Sequence, residues 1–301
     1  MDRSGLQPAR MRAPPRPNGS PPAPLAAAAL ALAAVAAGGC AAGGLSHSAA
    51  QNLAADPAKL LADVRTAQDR VQSVRGSARV RIESPGLSGT VVELVAAEKP
   101  ARLRLETLDF FGNPAALLVA DGDRFGFYDA RARTWYRGDA TPENVSRFLP
   151  VVLPPTELVT ILCGSAPLVR GHATEAAPGN GKVALVVAAG AVGQRLEVGE
   201  ELAIESSRVR RADPDPAALA AYYDLDFDVF RHPGGVRFPM EMRLEAPHAR
   251  SRVKLTWWDD LEVNARSDDG LFSLEPPRGA KVVELPPGGV PPEVELPVQA
   301  E

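Results

Sequence analysis

The side chains able to carry chemistry are few and scattered. The chain has two cysteines, Cys40 and Cys163, and four histidines, His47, His172, His232 and His248, that share no metal-ligand spacing. Asp224, Asp226 and Asp228 alternate with Leu225, Phe227 and Val229. Three carboxylates on one strand face could hold calcium, but the same pattern is what a solvated strand face requires, and that is the reading adopted. Gly179-Asn180-Gly181-Lys182 has the look of a phosphate loop, yet Val183 replaces the Ser or Thr and the upstream glycine is absent. Arg208-Val209-Arg210-Arg211 is basic, but Asp213 and Asp215 follow at once, as in an ordinary loop charge run. No Gly-x-Ser-x-Gly elbow and no Ser-His-Asp order is present. These residues point to no enzyme and to no cofactor. A net charge of −4, without clustered Lys and Arg to displace counterions, argues against nucleic acid as a partner.

Cys40 takes its meaning from what precedes it. Arg3, Arg10, Arg12 and Arg16 make a basic start, with Met11 as a second candidate initiator. The run 25–37 holds thirteen apolar residues without a charge. That is short of the roughly 20 needed to span a bilayer and fits the apolar region of a secretory signal. The run ends in Ala37-Gly38-Gly39-Cys40. Small residues before a cysteine resemble the bacterial lipobox, with Ala37 in place of the usual leucine. The resemblance implies that residues 1–39 are a removed signal peptide and that Cys40 is the lipid attachment site, palmitate among its acyl chains. The lipid bilayer is then a partner through acylated Cys40, since each buried CH₂ contributes about 0.8 kcal/mol. Ala41, where an Asp retention signal would stand, implies the outer membrane, facing the periplasm. An ordinary cleaved signal with a chance cysteine is the alternative. Residues 40–55 are small and polar at their start and read as a flexible tether.

The rest of the chain can bury a core, with 45% hydrophobic and 23% charged residues. Asp56-Pro57 supplies an N-cap and a first-turn proline. Leu60, Leu61, Val64, Ala67, Val71 and Val74 then recur at helical spacing, so a helix of about five turns is expected, ending at Gly76. The period changes to two from Ala78, with strands at regular spacing to Tyr136. Thr141-Pro142 and Thr156-Glu157 start two short helices around the proline-rich 150–155, closing at Gly164. Cys163 lies in an apolar run there, a small buried hydrophobe. Strands resume from Lys182 to Val263. After Leu285 the prolines multiply, and residues 286–301 read as a disordered tail. The fold class is α+β: a curled antiparallel sheet, an incomplete barrel of about eleven strands, with an N-terminal helix and a helical lid over 56–285.

Four stretches in this order resemble the LolA/LolB lipoprotein-carrier superfamily, LolB-like outer-membrane lipoproteins most of all. They are Val74-Arg75-Gly76 leading into Ala78-Arg79-Val80, the loop and strand 110–117, the helix pair 141–164 with its Leu-Pro-Pro link, and 235–242 followed by 253–257. The likeness spans 56–285. It departs in a longer second half, with 199–221 expanded, and 271–279 is more like the ends of LolA-type or uncharacterised LolB-like lipoproteins. The resemblance implies a cavity for acyl chains of lipoproteins, lined by Val80, Ile82, Leu103, Leu105, Leu117, Val119, Phe148, Leu158, Leu162, Leu225, Phe227, Met240, Met242, Leu255 and Trp257. It also implies lipoprotein sorting or insertion at the outer membrane, with a periplasmic carrier protein as a further partner. Periodicity alone gives a face and not a void, so a solid core serving an envelope scaffold or interaction protein stays open. By the same resemblance Phe110 and Phe111, between Asp109 and Gly112-Asn113-Pro114, are the membrane-insertion loop; the other reading folds them back on the sheet.

Overall fold

The computed structural model describes residues 44–211, 222–247, 249–266 and 268–286. Cys40, the segment 1–39 and the end of the tail lie outside the described residues. Two helices come first, α1 (His47–Ala54) and α2 (Pro57–Gln68). Six strands follow: β1 (Ser73–Ser84), β2 (Leu87–Glu98), β3 (Arg102–Leu108), β4 (Pro114–Ala120), β5 (Arg124–Asp129) and β6 (Thr134–Asp139). Short helices α3 (Pro142–Val145) and α4 (Pro155–Leu162) interrupt them. The series resumes with β7 (His172–Gly179), β8 (Lys182–Ala189), β9 (Val192–Val198), β10 (Ile204–Arg211), β11 (Asp224–Arg231), β12 (Phe238–Ala246), β13 (Ser251–Trp257), β14 (Glu262–Val263) and β15 (Lys281–Glu284).

Among the described residues these fifteen strands form one sheet, ordered β15-β6-β5-β4-β3-β2-β1-β13-β12-β11-β10-β9-β8-β7, with β14 beside β1. It is curled and unclosed, and every pairing is antiparallel except β15 on β6. Local chemistry sets the hairpins. Asn180 (φ 51°) and Gly181 (φ 72°) lie in the left-handed region between β7 and β8, as a tight primed turn requires. The apparent phosphate loop is therefore a hairpin turn. In β1 the alternation holds as read: Ala78 and Ile82 are buried on the concave face, opposite the arginines.

Four expectations need correction. The strand count rises from about eleven to fifteen. Strand β7, an edge strand containing Pro178 and Gly179, carries little apolar alternation; β15 lies past the last expected strand; and residues 258–261 separate β13 from β14. The first helix stops at Gln68 rather than Gly76. Lys99 Nζ donates to Gln68 O at 2.6 Å, and Asn264 accepts from Gln72 N at 2.7 Å, turning the chain into β1. Val71 and Val74 are buried all the same, so the helical stripe and the strand face share residues. Gly76 is needed inside β1, where a Cβ would come within 2.9 Å of Leu261 Cα. Residues 47–54, expected as tether, are helical: Ser46 caps α1, and Leu45 N donates to Gly181 O at 2.7 Å, docking the segment on the sheet. Finally, α4 begins one residue before Thr156, with Pro154 at its N-cap.

Helices α1 and α2 pack on β7, while α4 packs on β2 and β3. The convex face is covered in part by the C-terminal segment. Phe272 and Leu271 lie on Ala96, Val119 and Leu117, and the Arg102 guanidinium sits 4.5 Å over the Phe272 ring. Nearby, Gly126 lies under the fully buried Trp135, and a Cβ there would fall 1.9 Å from Cζ2 of that ring. Gly126→Ala should therefore lower stability by roughly 1–3 kcal/mol through overpacking. A urea titration followed by tryptophan emission checks this, and an unshifted midpoint would refute it.

Candidate functional site

Beneath the segment joining α3 to α4, the concave face holds a partly open cavity of about 140 Å³. Its floor comes from β1 to β5 and β11 to β13: Val80, Ile82, Val95, Leu105, Ala116, Leu118, Phe127, Leu225, Met242, Leu244, Val253 and Leu255. Its roof is Phe148, Leu149, Pro150, Val151, Leu158, Ile161 and Leu162. Val80, Leu105 and Val253 point to the concave face yet stay only half-buried, because the void lies against them in place of another side chain. The roof is pinned by aromatic packing. Phe148 stacks on Phe127 with centroids 4.1 Å apart and lies 5.6 Å from Tyr136 and 5.8 Å from Phe125. At the other end of the lid, Tyr223 donates to Glu157 at 2.5 Å. Burial, with the nearby Glu157 charge, holds that phenol well above its usual pKa.

Of the fifteen residues expected around a cavity, nine line it: Val80, Ile82, Leu105, Phe148, Leu158, Leu162, Leu225, Met242 and Leu255. The other six do not. Leu103, Phe227, Met240 and Trp257 share the concave face but belong to the filled part of the core, where Trp257 packs edge-on against Phe238 at 6.4 Å. Leu117 and Val119 point to the convex face, toward Phe272. The run Ala115-Ala116-Leu117-Leu118-Val119-Ala120 is apolar on both faces, so it carries no alternation from which to read direction; Ala116, Leu118 and Ala120 face inward.

One further residue of the cavity wall, Glu93, is polar and was not expected there. It lines the cavity from β2, where it pairs with Ala78 on one side and Thr107 on the other. Thr107 Oγ1 donates to its Oε1 at 2.7 Å, while the buried Oε2 has no hydrogen-bond partner. Burial raises this carboxyl from its ordinary value to about 7, because an apolar cavity penalises the charged form. The Thr107 bond pulls the other way, and the charge of Glu106 adds slightly to the rise. The signal was present in the sequence: Val91, Val95 and Ala97 share the parity of Glu93 and are buried.

The Asp109–Asn113 loop is a preformed turn. Asp109 Oδ1 accepts from Phe111 N at 2.9 Å and Asn113 N at 2.8 Å, and these bonds hold its carboxyl below the usual range. Gly112 takes φ 80°. The two rings pack edge to face, 5.4 Å apart. Phe110 is 78% and Phe111 83% exposed, so neither folds back onto the sheet.

The other candidate groups resolve as structure. Arg210 grips Asp224 at 2.6 and 2.9 Å, Arg208 meets Asp226 at 2.6 Å and Arg243 meets Asp228 at 3.1 Å. The carboxylate row is neutralised pairwise, and no cluster suited to a metal ion occurs among the described residues. Cys163 is buried, which pushes its thiol up to about 12 and leaves it unreactive.

No family model matches the chain, and no curated protein matches it by sequence. Solved structures do. A DUF1329 family protein from Desulfovibrio piger shares 15% identity at a TM-score of 0.50, covering 72% of this chain and 98% of that one. A putative outer membrane lipoprotein-sorting protein domain from Vibrio parahaemolyticus shares 11% at 0.51, covering 72% and 97%. A LolA superfamily protein from Nitrosomonas europaea shares 9% at 0.50, covering 71% and 97%. Such identities speak for the fold. The fold of this chain is therefore similar to that of a LolA superfamily protein and of a lipoprotein-sorting protein domain.

Proposed function

We propose that this protein is a lipoprotein of the bacterial envelope, anchored through Cys40, that binds acyl chains in its cavity and passes acylated cargo to the outer membrane without catalysing a reaction. The observation that carries the reading is the apolar void under the 142–162 lid. A filled core would serve a scaffold equally well, whereas a void lined mainly by Leu, Ile, Val and Phe receives apolar guests. At about 140 Å³ the cavity is close to the roughly 150 Å³ that holds a benzene-sized molecule. It is smaller than the ~300–1,000 Å³ of most ligand sites, so a full chain enters as the lid moves outward. Phe110 and Phe111 form the insertion tip that meets the bilayer. A periplasmic carrier protein would deliver the cargo. The likeness in fold to the putative outer membrane lipoprotein-sorting protein domain from Vibrio parahaemolyticus supports the same direction.

Four outcomes test the proposal. A fluorescent acyl probe should bind the purified protein saturably. Ala116→Phe, which fills the void from β4, should weaken that binding at least about tenfold while leaving the circular dichroism spectrum unchanged; equal binding would place the probe elsewhere. The double change Phe110→Ser with Phe111→Ser should leave probe binding intact and lower partition into lipid vesicles by at least about tenfold. Burying each ring contributes on the order of 1.5–3 kcal/mol, and each 1.4 kcal/mol is a factor of ten; vesicle co-sedimentation measures it, and unchanged partition removes the loop from the mechanism. In cells, Cys40→Ala should abolish labelling with radioactive palmitate and release the protein from the membrane fraction. Retained label would put the lipid on another residue.

A further inference from the structure

The cavity is apolar except at Glu93, Thr107 and Arg243. Titratable side chains lining it are Glu93 and Arg243. Arg243 is exposed at the rim and committed to Asp228 at 3.1 Å. Glu93 is inside. The cavity lining also includes Val80 of β1, Leu105 and Thr107 of β3, and Leu158 and Ile161 of the lid. Glu106, on the far face of β3, is held by Arg104 at 2.6 Å. Glu157 on α4 is held by Tyr223. Arg243, paired with Asp228 and Glu241, is the one cation among the residues lining the cavity.

One oxygen of this carboxyl is satisfied by Thr107 and the other is buried without a partner. A buried polar atom left unpaired is costly, so such atoms are rare unless something else supplies the partner. Since Thr107 already donates to Oε1, a proton on the carboxyl resides on Oε2 and makes it an unpaired donor in the wall of the cavity. The complement of a lone donor in a hydrocarbon-lined cavity is a chain bearing one neutral acceptor. A plain hydrocarbon leaves the donor unmatched, and a free carboxylate beside Glu93 brings a second acidic group and a charge among apolar side chains.

We propose that Glu93 is the specificity-determining residue of the cavity: its protonated carboxyl donates a hydrogen bond to the ester carbonyl of an acyl chain, so neutral esterified chains are preferred to free fatty acids, and the ionised form rejects them. This rests on the acyl-binding reading of the cavity and adds the polar end of the ligand. Protonation and occupancy are then linked. The carboxyl ionises near pH 7, so it is a donor below that pH and an unpaired anion above it. Apparent affinity scales with the protonated fraction. Between pH 5.5 and 8.5 that fraction, for a group titrating near 7, falls about thirtyfold.

The test uses the purified full chain with two probes, the methyl ester of a pyrene-labelled decanoate and an alkylpyrene of similar length without the ester. In the unaltered protein, ester affinity should drop about thirtyfold from pH 5.5 to pH 8.5. Glu93→Gln keeps a neutral donor at every pH and should hold ester affinity within about threefold across the range. Glu93→Leu should lose about tenfold in ester affinity at pH 5.5 yet bind the alkylpyrene at least as well as before. The proposal is overturned if Glu93→Gln keeps the full pH dependence, or if Glu93→Leu binds the ester as tightly as the unaltered protein. Saturable alkylpyrene binding with a flat ester profile sinks the role of Glu93 alone. Absence of saturable binding by either probe sinks the cavity reading with it. Should Glu93→Leu fail to fold by circular dichroism, the Glu93→Gln profile decides.

Discussion

Val80, Ile82, Leu105, Leu118 and Leu255 all point to one concave face, and leaving them in water would forgo most of the driving force for folding. That surface has to be covered, and the chain covers it in two ways. Under α2, the side chains of Leu60, Leu61 and Val64 belong to a continuous core with the sheet. Under the 142–162 crossing the cover is thinner: two short helices and a proline-rich link, tied down chiefly by Phe148 on Phe127. Close packing at one end and a void at the other come from the same sheet. The difference lies in which segment lies across it.

An open sheet also has edges, which are hazards for unwanted pairing. Strand β6 would be one edge, but β15 pairs with it in parallel, and Arg137 reaches Glu284 across the junction. The other edge, β7, is interrupted by Pro178, carries little apolar alternation and is backed by α1 and α2. On the way to β15 the chain drapes Leu271 and Phe272 over the outer face of β4. That is why β4 is buried on both sides and why its sequence looks like that of an internal strand.

Where burial was one-sided, the sequence was legible. The alternation of Ala78, Val80 and Ile82 with arginines, and of Met240, Met242 and Leu244 with charged neighbours, placed those strands and their inward faces. The capped starts at Asp56 and Thr141 were readable because side-chain capping is local chemistry. Legibility failed where the deciding partner is distant in sequence. The end of α2 depends on Lys99 and Asn264, the parity of β4 on Phe272, and the strand character of β7 on its pairing with β8. The void was not legible at all, because a stripe of Leu and Val reads the same whether it faces another side chain or empty space. Glu93 was overlooked for a related reason: in Thr90-Val91-Val92-Glu93-Leu94-Val95 both parities are apolar, and a lone carboxylate there passes for a surface residue.

The proline-rich link has one more consequence. Residues 149–154 donate no hydrogen bond to another backbone group among the described residues, so no ladder resists their inward travel. Compression should act here first. A folded protein containing empty volume occupies more space than its solvated, unfolded chain, and hydrostatic pressure disfavours whichever state is larger. The feature that leaves room for a guest thus makes the empty protein soft, and an occupant that fills the space stiffens it.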